Sequence, residues 1–272
     1  MRYLALVLLC LVVSGCVGDG NSSSERTVVA AFYPLAWAVE RIVGGTTQVV
    51  NLTPAGAEPH DIELTPRDVE TVRDADLVVY VSGGFQPAVE EAVAQREGLS
   101  LDVLDGDSDP HIWLDPVRFA AVFEGLAPAL DAERTAGKLV LELRRLDSEY
   151  RAGLRRCERR TLVTTHAAFA WLAERYGLEQ LSLAGRSPES EPSPRELEAL
   201  IEEVRAAGAT TVFAEPLVSD EIAETVAREA GVALATLDPI EGLSDERLEA
   251  GEDYLSVMRS NLAALREALG CR

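Results

Sequence analysis

Short apolar runs rich in β-branched residues recur along the chain, and most are followed by apolar residues at helical spacing. Thr27–Phe32, Thr47–Leu52, Leu77–Val81, Thr161–Thr165, Thr211–Ala214 and Val232–Leu237 read as strands. Leu197–Ala206 and Glu221–Ala230 read as helices. This alternation predicts an α/β fold with mainly parallel sheets. Helix starts are marked by a capping side chain before a proline at Thr65-Pro66, Asp115-Pro116 and Ser193-Pro194. Glu196, three residues after Ser193, completes a capping box. The segment Ala132–Arg160 is charged and long, and only Gly137 and Gly153 interrupt it. It predicts one long helix running between two lobes. The expected division is a first lobe over 26–130, a linking helix over 131–158 and a second lobe over 159–272.

The first residues follow a different pattern. Arg2 supplies a positive start, and the apolar run Leu4–Val13 is too short to span a bilayer. It ends in Val13-Ser14-Gly15-Cys16, small residues before a cysteine. Residues 1–15 therefore read as a lipoprotein signal peptide, with Cys16 as the acylated first residue of the mature chain. No twin-arginine pair is present, which points to the general secretory route. Residues 16–25 hold Gly18-Asp19-Gly20-Asn21-Ser22-Ser23-Ser24, the composition of a flexible tether. Of the four cysteines, Cys10 falls in the signal segment and Cys16 at the lipid site. Cys157 and Cys271 remain, and neither sits in a Cys-x-x-Cys pair. In an oxidising exterior they either pair or stay as free thiols.

Composition narrows the partners. Asp and Glu number 46 against 25 Lys and Arg, a formal charge of −21 that repels nucleic acid and anionic lipid surfaces. Lys138 is the single lysine. An acid-rich, lysine-poor chain suits saline surroundings, where salt screens self-repulsion. A GC-rich genome accounts equally for the scarcity of lysine, but not for the charge.

The candidate chemistry rests on three histidines, His60, His111 and His166, each beside turn or helix-start signals. His60 and His166 fall at or after strand ends, as does Asp238 in Leu237-Asp238-Pro239. Open α/β sheets bind ligands beyond the carboxyl ends of their strands. If the two lobes face each other, two imidazoles from one and an imidazole and a carboxylate from the other converge. Three neutral imidazoles and a carboxylate suit zinc, and tolerate manganese or cobalt. Spacing alone says little, since no His-Glu-x-x-His or similar pair occurs. Glu58 and Glu215 read as groups that bond loops or orient ligands, Asp61 and Asp115 as caps or supporting groups, and Trp113 as core. Any of these four acids is an alternative to Asp238 as the anionic ligand.

The flanking motifs are more specific. They include Phe32-Tyr33-Pro34-Leu35, Gly56-Ala57-Glu58-Pro59-His60-Asp61, Pro110-His111-Ile112-Trp113-Leu114-Asp115-Pro116, Thr165-His166-Ala167-Ala168-Phe169, Glu215-Pro216, Leu237-Asp238-Pro239 and Tyr254-Leu255-Ser256-Val257-Met258. Nearly the whole mature chain resembles the solute-binding lipoproteins that serve zinc and manganese ABC importers. The resemblance implies two α/β lobes joined by a rigid backbone helix, with a metal clamped between them. It places the four ligands at His60, His111, His166 and Asp238. A histidine at the third position tilts the choice toward zinc over manganese. The histidine-rich loop of many zinc-specific members is absent, since 83–109 holds no histidine. Phe85 stands where the family usually has a tryptophan. The implied protein is a monomeric, non-enzymatic carrier, exported and lipid-anchored at the outer face of the cytoplasmic membrane, with an ABC permease as partner. A zinc hydrolase and a surface adhesin on the same scaffold are the rival readings.

Overall fold

The computed structural model describes residues 26–104, 109–188 and 192–272. The signal segment, Cys10, Cys16 and the whole tether lie outside the described residues. The first half runs β1 (Arg26–Ala30), α1 (Tyr33–Val43), β2 (Thr47–Asn51), α2 (Pro66–Asp74), β3 (Leu77–Tyr80), α3 (Pro87–Ala94), β4 (Leu99–Asp102) and α4 (Pro116–Leu130). The long helix α5 (Glu133–Gly153) follows. The second half runs β5 (Thr161–Thr164), α6 (Ala170–Tyr176), β6 (Glu179–Ser182), α7 (Pro194–Ala206), β7 (Thr211–Ala214), α8 (Glu221–Ala230), β8 (Ala233–Thr236), α9 (Asp245–Glu249) and α10 (Tyr254–Ala268).

The described strands form two parallel sheets of identical topology, β2-β1-β3-β4 and β6-β5-β7-β8. The inner strands read as unbroken apolar runs because helices cover both faces of a parallel sheet. Val28, Val29, Leu77 and Val78 are fully buried, as are Val163 and Val212 in the second sheet. Strand order reverses between β1 and β3 in one sheet and between β5 and β7 in the other. Such switch points open a crevice beyond the strand ends.

Helix α5 buries Ala136, Leu139, Val140, Leu143, Leu146 and Tyr150, one stripe at helical spacing. This stripe packs along α4, α1 and α10. Tyr150 donates to the Met258 carbonyl at 2.6 Å, tying α5 to α10. Beyond α5, Cys157 is disulfide-bonded to Cys271. One continuous apolar core runs from β1 through α5 to α10, and a smaller one lies between the second sheet and helices α7 and α8. The caps form as their chemistry requires: Thr65 with Asp68 and Ser193 with Glu196 make reciprocal capping boxes. Asp115 accepts from Val117 and Arg118 at the start of α4. Among the described residues, no helix is long and apolar enough to cross a membrane.

Candidate metal centre

Each imidazole stands on a loop at the carboxyl edge of a sheet. His60 follows β2, and its backbone amide donates to Glu58 Oε1 at 3.0 Å. His111 follows β4, where the Asp109 carboxylate receives both its backbone amide, at 3.1 Å, and its Nδ1, at 2.7 Å. His166 lies two residues past β5, at the switch point of the second sheet. Glu215, at the end of β7 across that crevice, takes the His166 amide at 3.1 Å and Nδ1 at 2.6 Å. Two rings thus spend Nδ1–H on a carboxylate, which fixes the ring orientation and presents Nε2 to the centre. In the first sheet the crevice is filled instead by Phe32 and Phe85, whose rings lie 4.8 Å apart. Phe85 also packs against His60, at 4.4 Å, and so forms an apolar wall of the site.

The fourth group is Glu241. Its Oε1 lies 3.4 Å from His60 Nε2, 3.3 Å from His111 Nε2 and 3.3 Å from His166 Nε2. All four atoms are buried and have no hydrogen-bond partner. A tetrahedral zinc ion with bonds of about 2.0–2.1 Å sets its ligands about 3.3–3.4 Å apart. The three measured edges match that figure, and the donor set of three nitrogens and one oxygen suits zinc.

At the fourth position the arrangement differs from the sequence reading. The structure brings together His60, His111, His166 and Glu241, and leaves Asp238 outside. Asp238 Oδ1 accepts the Ile240 amide at 2.7 Å, and Oδ2 is paired with Arg247 Nη1 at 2.7 Å. Ile240 takes a left-handed conformation, with φ of 59°. That conformation is rare for a β-branched residue, and it turns the chain so that Glu241 faces the imidazoles. Of the alternative acids, Glu58 and Glu215 bond His60 and His166, Asp115 caps α4, and Asp61 is exposed. Asp109, which orients His111, went unassigned in the sequence.

The two halves close on each other around this centre. Trp113 Nε1 donates to the Pro239 carbonyl at 2.7 Å, and Tyr254 donates to the Trp113 carbonyl at 2.5 Å. Gly56 N donates to Leu243 O at 3.0 Å. At Gly242 an added Cβ would lie 3.3 Å from the Ala57 carbonyl, so glycine permits the two loops to lie together.

Charge at the centre is concentrated and mutually compensated. Burial alone would lift the Glu241 carboxyl, but the three imidazoles hold it well below the usual range. Burial also opposes a charged His166, yet Glu215 and Glu241 outweigh it and push its pKa up to about 10. His111 moves up as well, because Asp109 and Glu241 overcome its burial. Burial, and then the neighbouring Glu241, raise Glu58 to about 8.

Comparison with known proteins identifies the family. Residues 28–268 match the profile of the ZnuA family, described as zinc-uptake complex component A, periplasmic. The chain is 32% identical to the zinc-binding lipoprotein AdcA of Streptococcus pneumoniae over 98% of its own length, but spans 61% of that relative. It is 30% identical to the high-affinity zinc uptake system protein ZnuA of Bacillus subtilis, covering 98% of this chain and 97% of that one. Among solved structures, the laminin binding protein of Streptococcus agalactiae superposes with a TM-score of 0.80 at 30% identity, over 90% of this chain and 99% of that one. That protein is described as a bifunctional adhesin and metal transporter. The Zn(II)-bound ZnuA-like domain of Streptococcus pneumoniae AdcA superposes with a TM-score of 0.75 at 33% identity, with the same coverage. With its two matching sheets, its clustered imidazoles and a profile match over nearly all of the described chain, this protein belongs to the ZnuA family of zinc-uptake components.

Proposed function

We propose that this chain captures a zinc ion outside the cytoplasmic membrane and delivers it to an ABC permease. His60, His111 and His166 would bind through Nε2, and Glu241 through Oε1. The observation that carries the reading is that one buried carboxylate oxygen lies 3.3–3.4 Å from three buried imidazole nitrogens, none of them otherwise bonded. Nitrogen-rich tetrahedral donation favours zinc over manganese, which prefers more oxygen ligands. Four protein donors fill a tetrahedron and leave no position for an attacking water, which supports capture over hydrolysis. The division into a first lobe (26–130), a linking helix (131–158) and a second lobe (159–272) belongs to the same reading, as do export and acylation at Cys16.

The test strips the purified protein of metal and titrates zinc, manganese and iron separately and in competition. One tightly held zinc per chain that manganese does not displace is the expected result. A chain that binds no zinc, or prefers manganese, overturns the reading. The likeness to laminin-binding proteins favours a second, surface-binding role, which laminin adsorption by metal-free and zinc-loaded protein separates from transport.

A further inference from the structure

Asp238 is a carboxylate at the edge of the metal centre that takes no part in it. It lies two residues past the end of β8, is 4% exposed, and shares a short turn with Glu241. A buried carboxylate needs a cation or hydrogen-bond donors to offset its desolvation. Here the offset comes from the Ile240 amide on one oxygen and Arg247 on the other. Arg247 is held in turn. It stands on α9, begun by the Ser244 cap, and its Nε and Nη2 grip Glu252 at 2.9 and 2.8 Å. The guanidinium is thus a fork between two carboxylates.

We propose that Arg247 is a positioning residue that keeps Asp238 out of the metal shell and so keeps that shell four-coordinate. This rests on the reading of His60, His111, His166 and Glu241 as ligands. Without Arg247, the Asp238 carboxylate stays buried with one oxygen unpaired, and the metal is the adjacent positive charge. The freed Asp238 oxygen turns to the ion, beside the three imidazoles and Glu241. The ion then gains an oxygen ligand, and its geometry expands from four-coordinate.

Cobalt(II) is the probe, because four-coordinate cobalt absorbs visible light far more strongly than five- or six-coordinate cobalt. The full mature chain is compared with Arg247→Gln and with the double variant Arg247→Gln/Asp238→Asn, each at saturating cobalt. The parent should give the strong band; a parent without it would sink the reading of the centre rather than the role of Arg247. Arg247→Gln should weaken the band severalfold and lower zinc affinity roughly 10–100-fold, as loss of an outer hydrogen-bond partner does. The double variant should restore the band, since asparagine offers no anionic oxygen. An Arg247→Gln band and affinity equal to the parent's overturn the proposal, as does a double variant whose band stays weak. Should Arg247→Gln fail to fold, Arg247→Lys, which keeps the charge but not the fork, is read in the same way with a smaller expected change.

Discussion

Glu241 and Asp238 stand three residues apart, and the difference between them is the conformation of one residue. Replacing Glu241 by Gln keeps the shape but removes the anionic oxygen that faces three imidazoles. Calorimetry should show zinc affinity falling by more than the roughly 10–100-fold typical of an outer partner. Glu215→Gln, which weakens the hold on the His166 backbone amide and Nδ1, should fall within that range. Equal affinities for Glu241→Gln and the parent would remove Glu241 from the shell. The imidazoles were legible because the chain has only three, each set in a family motif. The carboxylate was not, because the strand-end rule stops at Asp238. What carries the chain past it is a left-handed isoleucine, which local propensity argues against. The visible signal was Ile240-Glu241-Gly242, a charged residue between an apolar one and a glycine, just beyond the turn.

At the scale of elements, the inner strands and capped helices were readable and two edge strands were not. β1, β3, β5 and β7 are apolar because both faces are covered. β4 reads Leu-Ser-Leu-Asp and β6 Glu-Gln-Leu-Ser, so no apolar run announces either. Pairing with an inner neighbour makes them strands. The long helix also ends earlier than its charged pattern, at Gly153, and the chain then turns toward Cys157. The disulfide there joins the end of α5 to the chain end beyond α10 across a separation of 114 residues. Closing a loop of that order is worth about 4–5 kcal/mol in the chain-entropy treatment. Cys157→Ser should therefore lower the denaturant midpoint clearly, and reductant should lower the parent to the same value. A parent that is indifferent to reductant would mean that the bond adds nothing to stability.

Protons, metal and fold are linked across the whole molecule. Zinc takes neutral imidazoles, so every proton held by the metal-free site must leave on binding. Ordinary imidazoles titrate near ~6.5, and on that basis affinity would be nearly level at mildly alkaline pH. The carboxylates around the centre change this, because His166 is raised to about 10 and His111 also lies above its ordinary value. The metal-free protein therefore holds a proton on His166 at neutral pH, and affinity should keep climbing through pH 8. The same shifts set the sign for stability. A histidine raised in the fold contributes stability that is complete below ~6.5 and lost as pH rises toward about 10. Glu58, raised to about 8, acts in the same direction, since ionising it in the fold costs stability above the ordinary carboxyl range. The metal-free protein should thus melt progressively lower from pH 6.5 to 9, while the zinc-loaded form gains from the rising affinity, and the gap between them should widen. Titration calorimetry in buffers of different ionisation enthalpy counts the protons: at least one per zinc, from His166, at both pH 7 and about pH 8.5. No proton released at pH 8.5, together with a gap that stays constant, would mean that Glu215 and Glu241 do not hold His166 charged.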